Sequence, residues 1–242
     1  MVATLLRSES GGVSLSQPNA LRDVLLVGAP IAVFGALGNM LGLETLAGGA
    51  MVNFGYLLAI VLGAYVLGRQ NSSWWDLGLG RPSSLPRTLL LGIMAAVGAI
   101  LVAVAAQLVV PAVLVELGTS RAPGVDQSRF NPIAGNLPLF VLMVVLAWTT
   151  IAFGEELFYR AFLLSRLVDH AGIGRWVAVL VAGAVFGAVH FAEGPLGLVS
   201  NGALGVLFGW IYLRSGRNLW ITVIGHGLIN TLRFGLLYAG VV

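Results

Sequence analysis

Cysteine and lysine are both absent from the 242 residues. Without cysteine there is no disulfide framework, no thiol nucleophile and no thiolate metal site. Without lysine, all 13 basic residues are arginine, and histidine occurs only three times. Charged residues make up 10% of the chain, against about 25% in an ordinary soluble domain. So little charge excludes disorder, a coiled coil and almost any soluble fold. What is present instead is apolar: 58% of the residues are hydrophobic and the mean hydropathy is +0.94. That suffices for about seven membrane-spanning helices of ~20 residues. The composition predicts an all-α, polytopic transmembrane helical bundle of seven to eight spans.

Seven apolar runs are visible: 24–43, 46–67, 88–115, 137–167, 176–191, 196–213 and 219–239. Residues 1–20 form a polar tail, and 21–242 read as one transmembrane domain. The first run is too long and too late for a secretory signal, which makes it an uncleaved span. With the N-terminus in the cytoplasm, Arg7, Arg22, Arg69, Arg81, Arg87, Arg166, Arg175, Arg214 and Arg217 fall on the cytoplasmic side. Arg121 and Arg129 fall on the other side, and Arg160 and Arg233 lie within runs. That asymmetry obeys the positive-inside rule. The pI of about 9.8 therefore reports topology and lipid-headgroup contact. No basic face with interleaved aromatics points to nucleic acid. Trp74 and Trp75 suit a membrane interface, and Gly202 and Gly205 suit close helix contact.

A charge inside a span costs on the order of 3 kcal/mol, so each one marks a functional candidate. The fourth run contains Glu155, Glu156 and Arg160. Glu156 and Arg160 are four apart on a helix and can pair; such a pair is often structural glue. Glu155 points about 100° away and needs another partner. His190 ends the fifth run; His226 and Asn230 share a face of the seventh. His170, beside Asp169, reads as a solvated loop residue, and Tyr159 and Trp148 read as packing. At about 1.5 Å per residue, Glu155, His190, His226 and Asn230 lie roughly 11–21 Å from the cytoplasmic ends of their helices. Three helices thus bring polar groups to similar depth, and in lipid such groups must find partners.

A carboxylate near histidine suits activation of water. Glu155 and His190 could hold the water, and His226 with Asn230 could stabilise an oxyanion. Equally, Glu155, His190 and His226 supply three N/O ligands, the number a catalytic zinc uses. No His-Glu-x-x-His helix is present.

Glu155-Glu156-x-x-x-Arg160, then Phe186-x-x-x-His190, then His226-x-x-x-Asn230 resembles the CAAX prenyl-protease and bacteriocin-processing (CPBP) intramembrane peptidases. Trp75-Asp76-Leu77-Gly78-Leu79 followed by Arg81-Pro82 is similar to that family's segment before its core. The close resemblance covers about residues 148–237, within a catalytic core of about 137–239. It implies an eight-helix-type bundle with a cavity open to the cytoplasm or the membrane. It implies Glu155 and His190 as water activators, His226 and Asn230 as the oxyanion site, and Glu156 and Arg160 as supports. Members are described both as metal-dependent and as glutamate-type peptidases; the lack of a further ligand favours the metal-free form, with no cofactor. The chain departs from the family in showing seven runs rather than eight.

The function expected is intramembrane endopeptidase, acting near the cytoplasmic side on a peptide or protein substrate, lipid-linked ones included. The Lys-free, Ala/Gly/Arg-rich composition suggests a bacterial inner or plasma membrane. Two other readings compete. A proton-coupled transporter would use Glu155 and His190 as relay groups. A non-enzymatic immunity or regulatory membrane protein would bind a peptide or a partner membrane protein and keep its phenotype in Glu155→Gln.

Overall fold

A computed structural model of the chain describes residues 19–42, 45–118 and 128–241. Most of the polar tail, with Arg7, lies outside the described residues, as do Arg121 and the side chain of Arg129. Seven long helical segments follow one another: α1 (Ala20–Leu41), α2 (Leu46–Gly68), α3 (Leu85–Glu116), α4 (Leu137–His170), α5 (Arg175–Ala188), α6 (Gly194–Arg214) and α7 (Leu219–Tyr238). There is no strand among the described residues. The fold is the all-α bundle the composition predicts, with each apolar run a helix in its expected place.

The helix ends differ from the runs because polar caps extend them. Asn19 accepts from the Arg22 amide at 2.9 Å, so α1 starts four residues before its apolar run. Thr45, Ser84, Asn136 and Asn218 cap α2, α3, α4 and α7 in the same way. Such caps satisfy amides that have no partner within the helix. α4 is broken into α and π-type turns, the latter at Ala147–Ile151, Leu157–Leu164 and Arg166–His170. His170 is therefore the last residue of a helix rather than part of a loop.

α1, α2, α3, α4 and residues Phe191–Arg214 are long and apolar enough to cross a membrane. The chain is an integral membrane protein. The other two runs fall short for physical reasons. α5 has 14 residues, about 21 Å against a hydrocarbon core of about 30 Å. α7 carries His226, Asn230 and Arg233 among its 20 residues.

α1 packs on α2, α5 on α6, and α3 lies against both α6 and α7. One end of the bundle is tied by polar bonds. Gln70 donates to Asp23 at 2.8 Å, and Arg166 lies 3.8 Å from the same carboxylate. Arg217 donates to both oxygens of Asp169 at 2.6 and 2.7 Å, and Asn218 to Thr88 at 2.8 Å. All the described loop arginines of the expected cytoplasmic set belong to this end. At the opposite end the Gly135 amide donates to the Tyr238 carbonyl at 3.0 Å.

Two close approaches set the geometry around α5, α6 and α7. A Cβ at Gly187 of α5 would lie 2.5 Å from the Leu198 carbonyl oxygen, and Gly205 of α6 meets the Cα of Gly183. Small residues let these backbones touch, as the pair Gly202 and Gly205 suggested. The turn Trp75–Leu79 braces the start of α7. Its Leu77 carbonyl accepts from the Tyr212 hydroxyl at 2.8 Å, and the Leu79 and Gly80 carbonyls accept from the Trp220 indole. Asp76 accepts from the Ser73 hydroxyl and amide at 2.7 and 2.8 Å. Those bonds hold its exposed carboxyl below the usual carboxylate range. Gly78 sits at φ 97°, where a Cβ would meet the Arg217 carbonyl at 1.8 Å. Gly78→Ala is expected to combine a left-handed strain of about 1–2 kcal/mol with this overlap. It should lower the thermal midpoint in detergent, and an unchanged midpoint would show that the brace yields freely.

Candidate active site

Glu155 and Glu156 lie in the short α turn between two π-type stretches of α4. Glu156 is fully buried, and so is Arg160 one turn on. Arg160 Nη1 stands 3.1 Å from Glu156 Oε1. Its guanidinium also lies over the Phe186 ring at 4.5 Å and near those of Phe208 and Tyr159. A desolvated arginine gains from such aromatic faces as well as from its carboxylate.

His226, from α7, lies between the two carboxylates. Its Nδ1 is 2.9 Å from Glu156 Oε1, and its Nε2 is 3.7 Å from Glu155 Oε2. The first is a hydrogen bond; the second is too long for one. Glu156 thus holds the arginine and one edge of the imidazole, and turns the other edge toward Glu155. Glu155 is buried, yet its Oε2 has no hydrogen-bond partner. The gap is small enough for one water to touch both groups.

His190 is not inside a helix. It occupies the turn after α5 (φ −97°), half-buried. Its Nδ1 lies 2.8 Å from the Phe186 carbonyl oxygen of its own last turn, which leaves Nε2 as the outward nitrogen. Phe186 connects the parts: its ring meets His190 at 4.8 Å and His226 at 6.1 Å, both edge-on. Asn230, one turn beyond His226, is half-buried and faces a cavity of about 260 Å³ that His226 also lines. Glu155 and His190 are not in the wall of that cavity.

The structure therefore brings Glu155, Glu156, Arg160 and His226 into one cluster, with His190 joined through Phe186 and Asn230 at the cavity. One expected pairing changes. The sequence left Glu156 to arginine alone; in the fold it is Glu156, not Glu155, that hydrogen-bonds an imidazole.

Several residues escaped the sequence reading. Tyr56 of α2 is buried beside Glu155 and Tyr159. Gly154 makes room for it, with a Cβ position 3.3 Å from that of Tyr56. Tyr159 is thus part of the polar cluster as well as packing. Glu193, at the tip between α5 and α6, is buried and accepts from Asn201 at 3.1 Å; Arg233 lies 3.9 Å away. Arg233 is seven residues after His226, hence on the same helical face. That spacing was a usable signal; for Glu193 and Tyr56, single residues on other elements, there was none.

Glu155, His190 and His226 do not make up a metal-ligand set, and no other group of three His, Cys, Asp or Glu does so among the described residues.

Residues 137–232 match the family model described as Rce1-like, type II CAAX prenyl endopeptidase. Comparisons with curated proteins and with solved structures find no match. The matched stretch begins at the first residue of α4 and contains Glu155, Glu156, Arg160, His190, His226 and Asn230. Over residues 137–232 the chain is thus similar to the CAAX-type endopeptidases that its sequence resembles.

Proposed function

We propose that the chain is an intramembrane endopeptidase that hydrolyses a peptide bond with a water activated by Glu155 and His190. The observation that carries this reading is the buried Glu155 carboxylate beside His226, its Oε2 3.7 Å from the imidazole Nε2 and outside the Glu156–Arg160 pair. A water beside that oxygen is within reach of both the carboxylate and the imidazole. Glu155 takes one proton as the water oxygen adds to the substrate carbonyl, and returns it to the leaving amine. His226 and Asn230 stabilise the tetrahedral oxyanion. Glu156 and Arg160 hold His226 in orientation. The substrate is a peptide or protein, lipid-linked ones included.

The test is digestion of a peptide library by the purified chain in detergent, with and without chelator, read by mass spectrometry. Cleavage is expected to survive the chelator. His190→Ala should lose about 10²–10⁴-fold in rate, the usual share of a positioned proton-transfer group. Wild-type rates in His190→Ala would remove that residue from the mechanism. Loss of all cleavage in chelator would restore a metal to it.

A further inference from the structure

The carboxylates are not the only place where α4 grips α7. Trp148 lies in the π-type turn Ala147–Ile151, upstream of the two acids on the same helix. Its indole Nε1 donates to the Thr231 hydroxyl at 2.9 Å, and that hydroxyl donates to the Gly227 carbonyl at 2.7 Å. The six-membered ring of the indole fills the space beside Gly227. A Cβ there would lie 2.7–2.8 Å from three of its atoms, closer than real Cβ atoms come. A glycine at 227 therefore lets the helix backbone sit against the ring. Trp148 holds α7 at two points one turn apart, and two points fix a helix against pivoting as one point does not.

The two residues so held, Gly227 and Thr231, directly follow His226 and Asn230 in the chain. Successive residues of a helix point about 100° apart. Fixing the direction of 227 and 231 therefore fixes that of 226 and 230. Neither Trp148 nor Thr231 is in the wall of the cavity that His226 and Asn230 line, so both act through α7. The lever is short. At a side-chain radius of about 5–6 Å, a turn of α7 by about 10° carries the imidazole about 1 Å. A shift of that size would disturb the 2.9 Å bond from His226 Nδ1 to Glu156. Misplacing a reacting group by about 1 Å can cost about 10²-fold in rate. We infer that Trp148 and Thr231 are positioning residues of the peptidase reaction: with Gly227 they set the rotation of α7 that aims His226 at the two carboxylates and Asn230 at the cavity. The reaction named here rests on the proteolytic reading; the grip on α7 does not. Trp148, which the sequence presents as packing, thus has its N–H in a specific task.

Two substitutions remove the bond from either side. Trp148→Phe keeps an aromatic ring and loses the N–H; Thr231→Val keeps the shape and loses the hydroxyl. In the purified full-length chain each is expected to lower kcat for a cleaved library peptide by about 10–10²-fold while KM stays within about twofold. Thr231→Ser keeps the hydroxyl and should retain the wild-type kcat. The double variant Trp148→Phe/Thr231→Val should be no slower than the slower single one, because both remove the same bond. Trp176→Phe, which alters an exposed indole elsewhere, should leave kcat unchanged. A second readout needs no cleavage. In histidine-labelled protein, the NMR signal of the His226 Nδ1 proton, assigned by its loss in His226→Gln, should shift in Trp148→Phe and in Thr231→Val, while the His170 signals stay in place. Wild-type kcat in both single variants, a change in KM alone, or losses that multiply in the double variant would overturn the inference, as would an unmoved His226 signal. If the wild-type chain cleaves no peptide, the proteolytic reading fails, and the His226 signal still decides whether Trp148 sets its position.

Discussion

Glu155→Gln is expected to abolish peptide cleavage, by about 10²–10⁴-fold or more, with little change in helical content or thermal midpoint. Glutamine keeps the size and removes only the ability to take a proton. Little structural loss is expected because the Glu155 carboxylate accepts no bond from Arg160 or His226; the ion pair runs through Glu156 instead. The neutral amide still fits beside the Tyr56 hydroxyl and meets the His226 edge across the same gap. Rate and stability should therefore separate. A variant that keeps wild-type cleavage would leave Glu155 without a part in the chemistry. A variant that unfolds would make it structural. For the non-enzymatic alternative, the phenotype would survive the substitution.

Arg160→Met carries the second large effect, and its sign is reversed: stability should fall first. Glu156 is fully buried, and Arg160 Nη1 at 3.1 Å is its nearest cation. Removing one partner of a buried pair costs about 3–5 kcal/mol, because the other charge stays buried without compensation. The methionine would still fill much of the volume beneath Phe186 and Phe208, so the loss is electrostatic rather than a cavity. The double variant Glu156→Gln/Arg160→Met is expected to recover much of that stability, since neither charge remains. It should not recover cleavage, because His226 Nδ1 loses the carboxylate that orients it. Thermal midpoints in detergent beside cleavage rates would show the split. If Arg160→Met melts like the wild type, the pair is not holding the cluster. If the double variant cleaves normally, Glu156 does not orient His226.

The two substitutions act on neighbouring residues of one helix yet read different properties. Glu156 is spent on structure, with an arginine and an imidazole as partners. Glu155 is held nearby and bonds to neither of them. Two adjacent acids with such different surroundings are what separates a supporting group from a reacting one. Their places between π-type turns belong to the same pattern, since such turns interrupt the regular helix and recur at functional sites.

Seven apolar runs, their places in the chain, the all-α class and the arginine asymmetry were legible from residue order alone. They depend on how a single segment partitions between water and hydrocarbon, which needs no knowledge of its neighbours. The same holds for the expectation that Glu156 and Arg160 pair, a matter of spacing four along one helix. What residue order did not contain was which side chain faces which across helices. Helix crossings decided that His226 bonds to Glu156 and only approaches Glu155, and that Tyr56 arrives from α2 beside Glu155. They decided that Glu193 folds inward from a tip that reads as an ordinary loop. The same crossings bring some helices into backbone contact at glycines such as Gly187 and Gly225 and leave a cavity between α3, α6 and α7. Periodicity tells a residue its face and its depth; only packing supplies the partner.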